Sequence, residues 1–292
     1  MQIFKNDNAG FTLIELSIVL VIIGLIVGGV LVGQDLIRAA YIRAQISQIE
    51  KFNTAVNTFR GKYNALPGDL NADTALQYGF TARGQYAGEG DGDGIIEGII
   101  SNTSGSNNGR AQGAGETVMF WQDLTYANGL NLNLIEGSFT GASPINVNSN
   151  NVCVTNTQTY CGGGSGLLGQ FYPDSKFGAN NRVYVYSLNG VNYYGVSPVN
   201  IIGADSWLNG EAPNIPVRAA YMVDSKVDDG FAQSGNVMAN YVSANSASVQ
   251  LAPSALSDNA TTCFNTSSTS GIYSTGYKGG VVGNCVLSFK FQ

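Results

Sequence analysis

Residues Phe11 to Gly33 constrain this chain more than any other stretch. The run of about 23 residues would span roughly 35 Å as a helix, enough to cross the hydrocarbon core of a bilayer. Its only charge is Glu15, near its start, and beyond Glu15 its only hydroxyl is Ser17. A carboxylate inside a bilayer costs on the order of 2.5–3.5 kcal/mol, so Glu15 requires a partner or a task. Cleavage after Gly10 would supply one. Phe11 would become the N-terminus, its amine one helical turn from Glu15, and the amine of a neighbouring copy could pair with the same carboxylate and set a register between subunits.

Gly10-Phe11-Thr12-Leu13-Ile14-Glu15 followed by an apolar run resembles the class III signal of type IV pilins and type II secretion pseudopilins. The resemblance implies that a prepilin peptidase cuts between Gly10 and Phe11, that the same enzyme N-methylates Phe11, and that Glu15 guides docking. It also implies other pilins or pseudopilins and an inner-membrane assembly platform as partners, with membrane lipids around the helix before assembly. An ordinary secretory signal differs: its small-residue cleavage site follows the apolar region, so that region is lost. Here the small residue comes first and the apolar segment stays in the product. Lys5 on the leader side places the remainder of the chain outside the cytoplasm. The expected localisation is a single-pass inner-membrane protein with an exported head, then a periplasmic or cell-surface filament.

The helix is expected to continue beyond the membrane. Ile42, Ile46, Ile49, Phe52, Val56, Phe59 and Tyr63 recur at spacings of three and four, with charged and amide residues between them. This amphipathic half should end between Gly61 and Asn64, ahead of Pro67, with its apolar stripe against a sheet. The expected division is a leader over 1–10, a membrane-spanning and amphipathic helix over 11–65, and an exported head over 66–292. Gly24, Gly28, Gly29 and Gly33 allow close backbone approach in a helix bundle.

The head reads as α+β: a pilin-like long helix on an antiparallel sheet with large loop insertions. Glu116 to Asn128 is expected as a helix carrying Phe120, Trp121, Leu124 and Ala127 on one face, with Gly129 as its cap. Arg182–Tyr186 and Val191–Val196 flank Asn189-Gly190, a strong hairpin signal. Tyr184, Tyr186 and Tyr194 are expected to share an aromatic face. Pro216 to Asp228 fits a strand or a helix, and Pro216 at the first turn with Gly230 past the end favours a helix. Strands are expected at 236–239, 248–252 and 281–291. In the last of these Val286, Ser288 and Lys290 alternate with Leu287, Phe289 and Phe291.

The chain has 38 glycines, 12% charged residues and a net charge of −6. The leader carries one cation, Lys5, and one anion, Asp7, so its removal leaves the net charge at −6. An acidic head without a basic cluster is a poor nucleic-acid ligand. The chain has no histidine and no Cys-x-x-Cys pair, which removes Ser–His and Cys–His nucleophiles and argues against a zinc site. No pair of acids is placed around a cleft for glycoside hydrolysis, and the chain reads as a non-enzyme. Cys153, Cys161, Cys263 and Cys285 allow three disulfide connectivities. Pairing neighbours gives Cys153–Cys161 and Cys263–Cys285, and buried free thiols are the alternative. The second pair is similar to the C-terminal disulfide loop of many pilins.

Glu89, Asp91 and Asp93 stand at relative positions one, three and five, with Gly94 at six, Ile96 at eight and Glu97 at nine. The pattern resembles the first half of an EF-hand-type calcium loop, but position twelve is Ile100 where the bidentate acid belongs. Asp224-Ser225-Lys226-Val227-Asp228-Asp229-Gly230 is a second candidate, with Asp228 and Asp229 as possible ligands or as parts of a helix-end turn. Calcium is the cofactor these patterns point to. The expected function is a filament subunit of minor or specialised pilin type. The alternatives are a type II secretion pseudopilin and a membrane-tethered, calcium-dependent adhesin.

Overall fold

A computed structural model describes residues 12–80, 83, 90–97, 115–127, 130–139, 160–161, 168–203, 208–242 and 249–291. Helix α1, Leu13–Tyr63, runs unbroken for 51 residues, about 77 Å at 1.5 Å per residue. Thr12 caps its start. Asn64 ends it in the left-handed region, at φ 53°, and donates its N–H to the Arg60 carbonyl at 2.8 Å. Arg60 and Lys62 lie in the last turn, where cations suit the partial negative charge of a helix C-terminus.

The two halves of α1 have opposite environments. From Leu13 to Tyr41 no side chain is buried; from Ile42 onward Ile42, Ile49, Phe52, Val56, Phe59 and Tyr63 are. That is the stripe read from the sequence, with Ile46 partly buried. Two amides join it. The Gln45 carbonyl accepts from the Ser175 hydroxyl at 2.7 Å and the Lys176 N–H at 2.9 Å, and the Gln48 amide donates to the Asp174 carbonyl at 2.8 Å. Apolar burial holds the helix to the head, and these directional bonds fix its register along it.

The stripe rests on helices as well as on a sheet. Beyond α1 come a short helix α2, Ala72–Gln77, and α3, Glu116–Thr125. The sheet core is β1, Asn181–Leu188, and β2, Val191–Gly203. After it come β3, Leu208–Gly210, helix α4, Val217–Val227, then β4, Val237–Met238, and β5, Leu287–Phe291. The order β1–β2–β5–β4 is antiparallel throughout. The far half of β2 pairs with β3 and with the short strand Tyr160–Cys161. Helix α1 packs on α3 and α4, and its Phe52 reaches Tyr194 of β2. Asn189 and Gly190 close the β1–β2 hairpin with φ of 52° and 74°, the positive values a tight primed turn requires.

Three expectations change. Helix α3 stops at Thr125, three residues early. The Thr125 hydroxyl turns back to the Trp121 and Gln122 carbonyls, and Tyr126–Ala127 pairs instead with Leu130–Asn131. All ten α3 residues are buried, so it is an interior helix with no solvent face; Gly129 lies outside the described residues. Second, the tyrosines divide between two faces. Tyr194 lies opposite Val185, on the side of Phe52, Trp121 and Phe291. Tyr184 and Tyr186 share the other face with Tyr193, and the missing side chain of Gly195 makes room for the Tyr184 ring. Third, Ser288 of β5 is buried. It accepts from the Tyr186 hydroxyl at 2.8 Å and donates to the Asn240 carbonyl at 2.8 Å, so only Lys290 of that strand is exposed.

Cys263 and Cys285, both buried, are disulfide-bonded with Cα atoms 4.7 Å apart. The bond ties a three-stranded ladder of short segments (254–255, 264–265, 272–273) to the chain entering β5. Cys153 lies outside the described residues, and with it the pairing expected for Cys161.

Candidate functional site

The N-terminal site is built by the start of α1. Gly10 and Phe11 lie outside the described residues. Thr12 and Glu15 form a reciprocal cap: Glu15 N–H donates to Thr12 Oγ1 at 3.3 Å, while Thr12 N–H and Thr12 Oγ1–H both donate to Glu15 Oε2 at 2.8 Å. The Thr-x-x-Glu spacing is the capping-box signature, so this role of Thr12 was readable from sequence and was missed. The cap gives the lone carboxylate of the apolar run two donors from its own chain and holds it at the helix tip. Around it Leu13, Ile14 and Leu16 are exposed, as are the large apolar residues through Tyr41. The helix is long and apolar enough to cross a membrane, with a mean hydropathy of 2.9 in its most apolar window and none of that window buried.

The first acidic cluster gathers a different set from the one the spacing indicated. Carboxylate oxygens of Asp69, Asp91 and Asp93 lie within 4.8 Å of one another. Oxygens so spaced could converge on one ion at the calcium–oxygen distance of about 2.3–2.6 Å with little movement. Glu97 is not in this group, and Glu89 lies outside the described residues. Asp69 comes from the Leu66–Asp69 segment that follows α1, outside the acidic spacing that pointed to Asp91 and Asp93.

Two buried acids hold this loop. Asp69 accepts from Gly92 N–H at 2.7 Å and Gly94 N–H at 2.8 Å. Glu116, in the first turn of α3, accepts from Gly90 N–H at 3.0 Å and Glu97 N–H at 2.7 Å. Asn192 of β2 fixes the loop further, accepting from Ile96 N–H and donating to the Gly94 carbonyl, each at 2.9 Å. Gly90, Gly92 and Gly94 all have positive φ, and a Cβ on Gly90 would stand 2.1 Å from the Leu70 carbonyl oxygen. The glycines let the backbone wrap a carboxylate closely. Burial pushes the Asp69 carboxyl up to about 6, against the pull of the two glycine N–H groups. Glu116 is pushed well above the usual carboxylate range, first by burial and then by the charge of Asp69.

Nearby, a buried ion pair of Arg83 and Asp123 secures the Gly68 turn. Asp123 accepts from Gly68 N–H at 2.7 Å, and Arg83 donates to the Gly68 carbonyl at 3.2 Å.

The second cluster joins Asp224 to the expected Asp228 and Asp229. Asp224 is buried, accepts from Gly230 N–H at 3.0 Å and from the Tyr273 hydroxyl at 2.8 Å, and burial raises its carboxyl to about 7. Asp228 accepts from Asn236 N–H and, at 3.0 Å, from Val237 N–H; Asp229 accepts from Phe231 N–H at 2.9 Å and the Ser234 hydroxyl at 2.6 Å. Every one of these acids organises the turn that ends α4.

Residues 5–31 match the family profile of the prokaryotic N-terminal methylation motif, the prepilin-type signature of type IV pilins and pseudopilins. The chain thus carries the mark of a type IV pilin- or pseudopilin-like substrate, one that implies processing by prepilin peptidase and assembly with other pilins. No curated protein and no solved structure matches it.

Proposed function

We propose that this chain is a filament subunit, a minor or specialised type IV pilin, whose role is structural and not enzymatic. In this reading it is cut after Gly10, methylated at Phe11 and drawn from the membrane by an inner-membrane assembly platform, with its head exported. The carrying observation is the methylation motif on a helix whose first 29 residues, Leu13 to Tyr41, include no buried side chain. Outside a bilayer that surface needs other helices around it. Thr12 presents Glu15 at the tip of the helix, where the Phe11 amine of a neighbour would pair with it. The size of the head, with its long Gly-, Asn- and Ser-rich stretches, favours a specialised subunit over a major one; a type II secretion pseudopilin is the nearest alternative. Glu15→Ala tests the assembly role. The subunit should still insert into the membrane but vanish from sheared filaments. Unchanged assembly would refute the reading and favour a tethered adhesin.

We propose further that Asp69, Asp91 and Asp93 hold a calcium ion, supported by the convergence of their oxygens and by the burial of Asp69. A bound cation would offset the cost of that buried charge. The Asp224 cluster we read as a structural turn. Millimolar calcium should raise the melting temperature of the protein, magnesium should raise it less, and Asp91→Asn/Asp93→Asn should abolish the effect. A calcium response that survives the double substitution would refute this assignment.

A further inference from the structure

Between the apolar run and the head, α1 crosses a stretch that neither explains. Gly33 ends the run and Ile42 is the first buried residue, so the segment from Gln34 to Tyr41 belongs to neither. Its side chains are exposed or half-exposed on every side of the helix. Leu36, Ile37 and Tyr41 are large, apolar or aromatic, and at least half exposed. Among them stand Arg38 and, just beyond, the exposed Arg43. Arg38 faces Asp35 at 3.6 Å in an exposed pair, an arrangement worth little in water, and Arg43 has no ion-pair partner among the described residues.

We propose that Gln34 to Tyr41, together with Arg43, forms a collar for lipid headgroups, in which Arg38 and Arg43 bind lipid phosphates while Leu36, Ile37 and Tyr41 settle between the headgroups. The proposal rests on the reading of Leu13–Gly33 as the membrane span. Three features single out lipid over a protein neighbour or free phosphate. The first is position. Arg38 stands about 8 Å and Arg43 about 15 Å beyond Gly33 along the helix, and the headgroup layer is roughly 5–8 Å deep on each side. Helical side chains lean toward the N-terminus, here back toward the bilayer, so the Arg38 guanidinium lies within that layer and that of Arg43 reaches back to its outer margin. The second is angular spread. Five residues place the two arginines about 140° apart around the axis, which suits a surrounding lipid layer and not a one-sided partner. The third is composition. An aromatic and aliphatic belt with basic residues is what the membrane interface selects, whereas a free phosphate has no use for Leu36, Ile37 and Tyr41.

A charge argument points the same way. Arg38 and Arg43 outnumber Lys5, so on the flank that the methylation motif assigns to export they oppose the usual orienting bias of membrane helices. The orientation therefore rests on the motif and not on Lys5, and the two arginines have no topogenic use there.

The test is carbon–phosphorus dipolar recoupling by solid-state NMR. Full-length protein labelled at the arginine guanidinium carbon is reconstituted in phosphatidylcholine/phosphatidylglycerol bilayers, and alkaline extraction verifies insertion. Arginine carbons should be dephased by lipid phosphorus. Arg38→Gln/Arg43→Gln should lose that dephasing while remaining inserted. Arg60→Gln, on the same helix about 40 Å past Gly33, should keep it. Inserted wild-type protein without dephasing, or a double variant that retains it, overturns the collar alone. Wild-type protein released by alkali overturns the collar together with the membrane-span reading.

Discussion

Phe52→Ala tests how the long helix is held to the head. Phe52 is 5% exposed and sits edge-on to Trp121, with ring centroids 5.0 Å apart and planes at 65°. The Tyr194 ring lies 6.0 Å from it and 6.3 Å from the Trp121 ring, so the three rings close a triangle. It therefore joins α1 to α3 and to β2 at one point. Phe→Ala in such a core costs about 3–5 kcal/mol, part of it from aromatic contacts worth about 0.5–1.5 kcal/mol each. For a head of this size each kcal/mol moves the melting temperature by about 2–4 °C. A 4 kcal/mol loss thus predicts a fall of about 8–16 °C, read by near-ultraviolet circular dichroism on the full chain in detergent. Asn57→Ala, on the exposed face of the same helix, should change it by no more than about 2 °C. If Phe52→Ala also stays within that margin, the helix stripe is not part of the folded core and the packing argument fails.

Two more predictions concern the head. Asp69, Asp224 and Glu116 all have carboxyls raised by burial, so the folded state holds protons that the unfolded state releases. Their contribution to stability is full below the unfolded value near 4 and is lost as pH rises through about 6 for Asp69 and about 7 for Asp224. In EDTA the melting temperature of Asp224→Asn relative to wild type should therefore improve from pH 5 to pH 8; a constant difference would show that Asp224 does not titrate in that window. Cys263→Ser/Cys285→Ser opens a bond between residues separated by 22 positions. Loop-closure entropy for that length predicts a loss of about 3 kcal/mol, measured by urea unfolding, and an unchanged midpoint would contradict it.

What the sequence disclosed and what it concealed follow from the range of the interactions. Helix α1 was legible to its last turn because its stripe is periodic and Asn64 and Pro67 mark its end. The Asn189-Gly190 hairpin was legible because that dipeptide takes positive φ at both turn positions. Helix α4 was legible from Pro216 and Gly230. The end of α3 was not, because Thr125 yields to a tertiary pairing that no local pattern encodes. The tyrosine faces were misread because Tyr194 was grouped by residue type, although its place opposite Val185 in the hairpin already sets its face. The first acidic cluster was half legible. Asp91 and Asp93 follow from their alternation, but Asp69 stands 22 positions before Asp91 in a turn, and Glu116 opens a distant helix. Only folding brings those two carboxylates to the loop. Thr12 is the avoidable omission, since its spacing to Glu15 is a local signal.

The most direct test of the central claim is the mass of the intact protein and of its N-terminal peptide, taken from its native membrane. The account predicts a mature chain beginning at N-methylated Phe11, without Met1 to Gly10. A chain that begins at Met1 in cells with an active prepilin peptidase would contradict it, leaving an anchored domain that is not processed as a pilin.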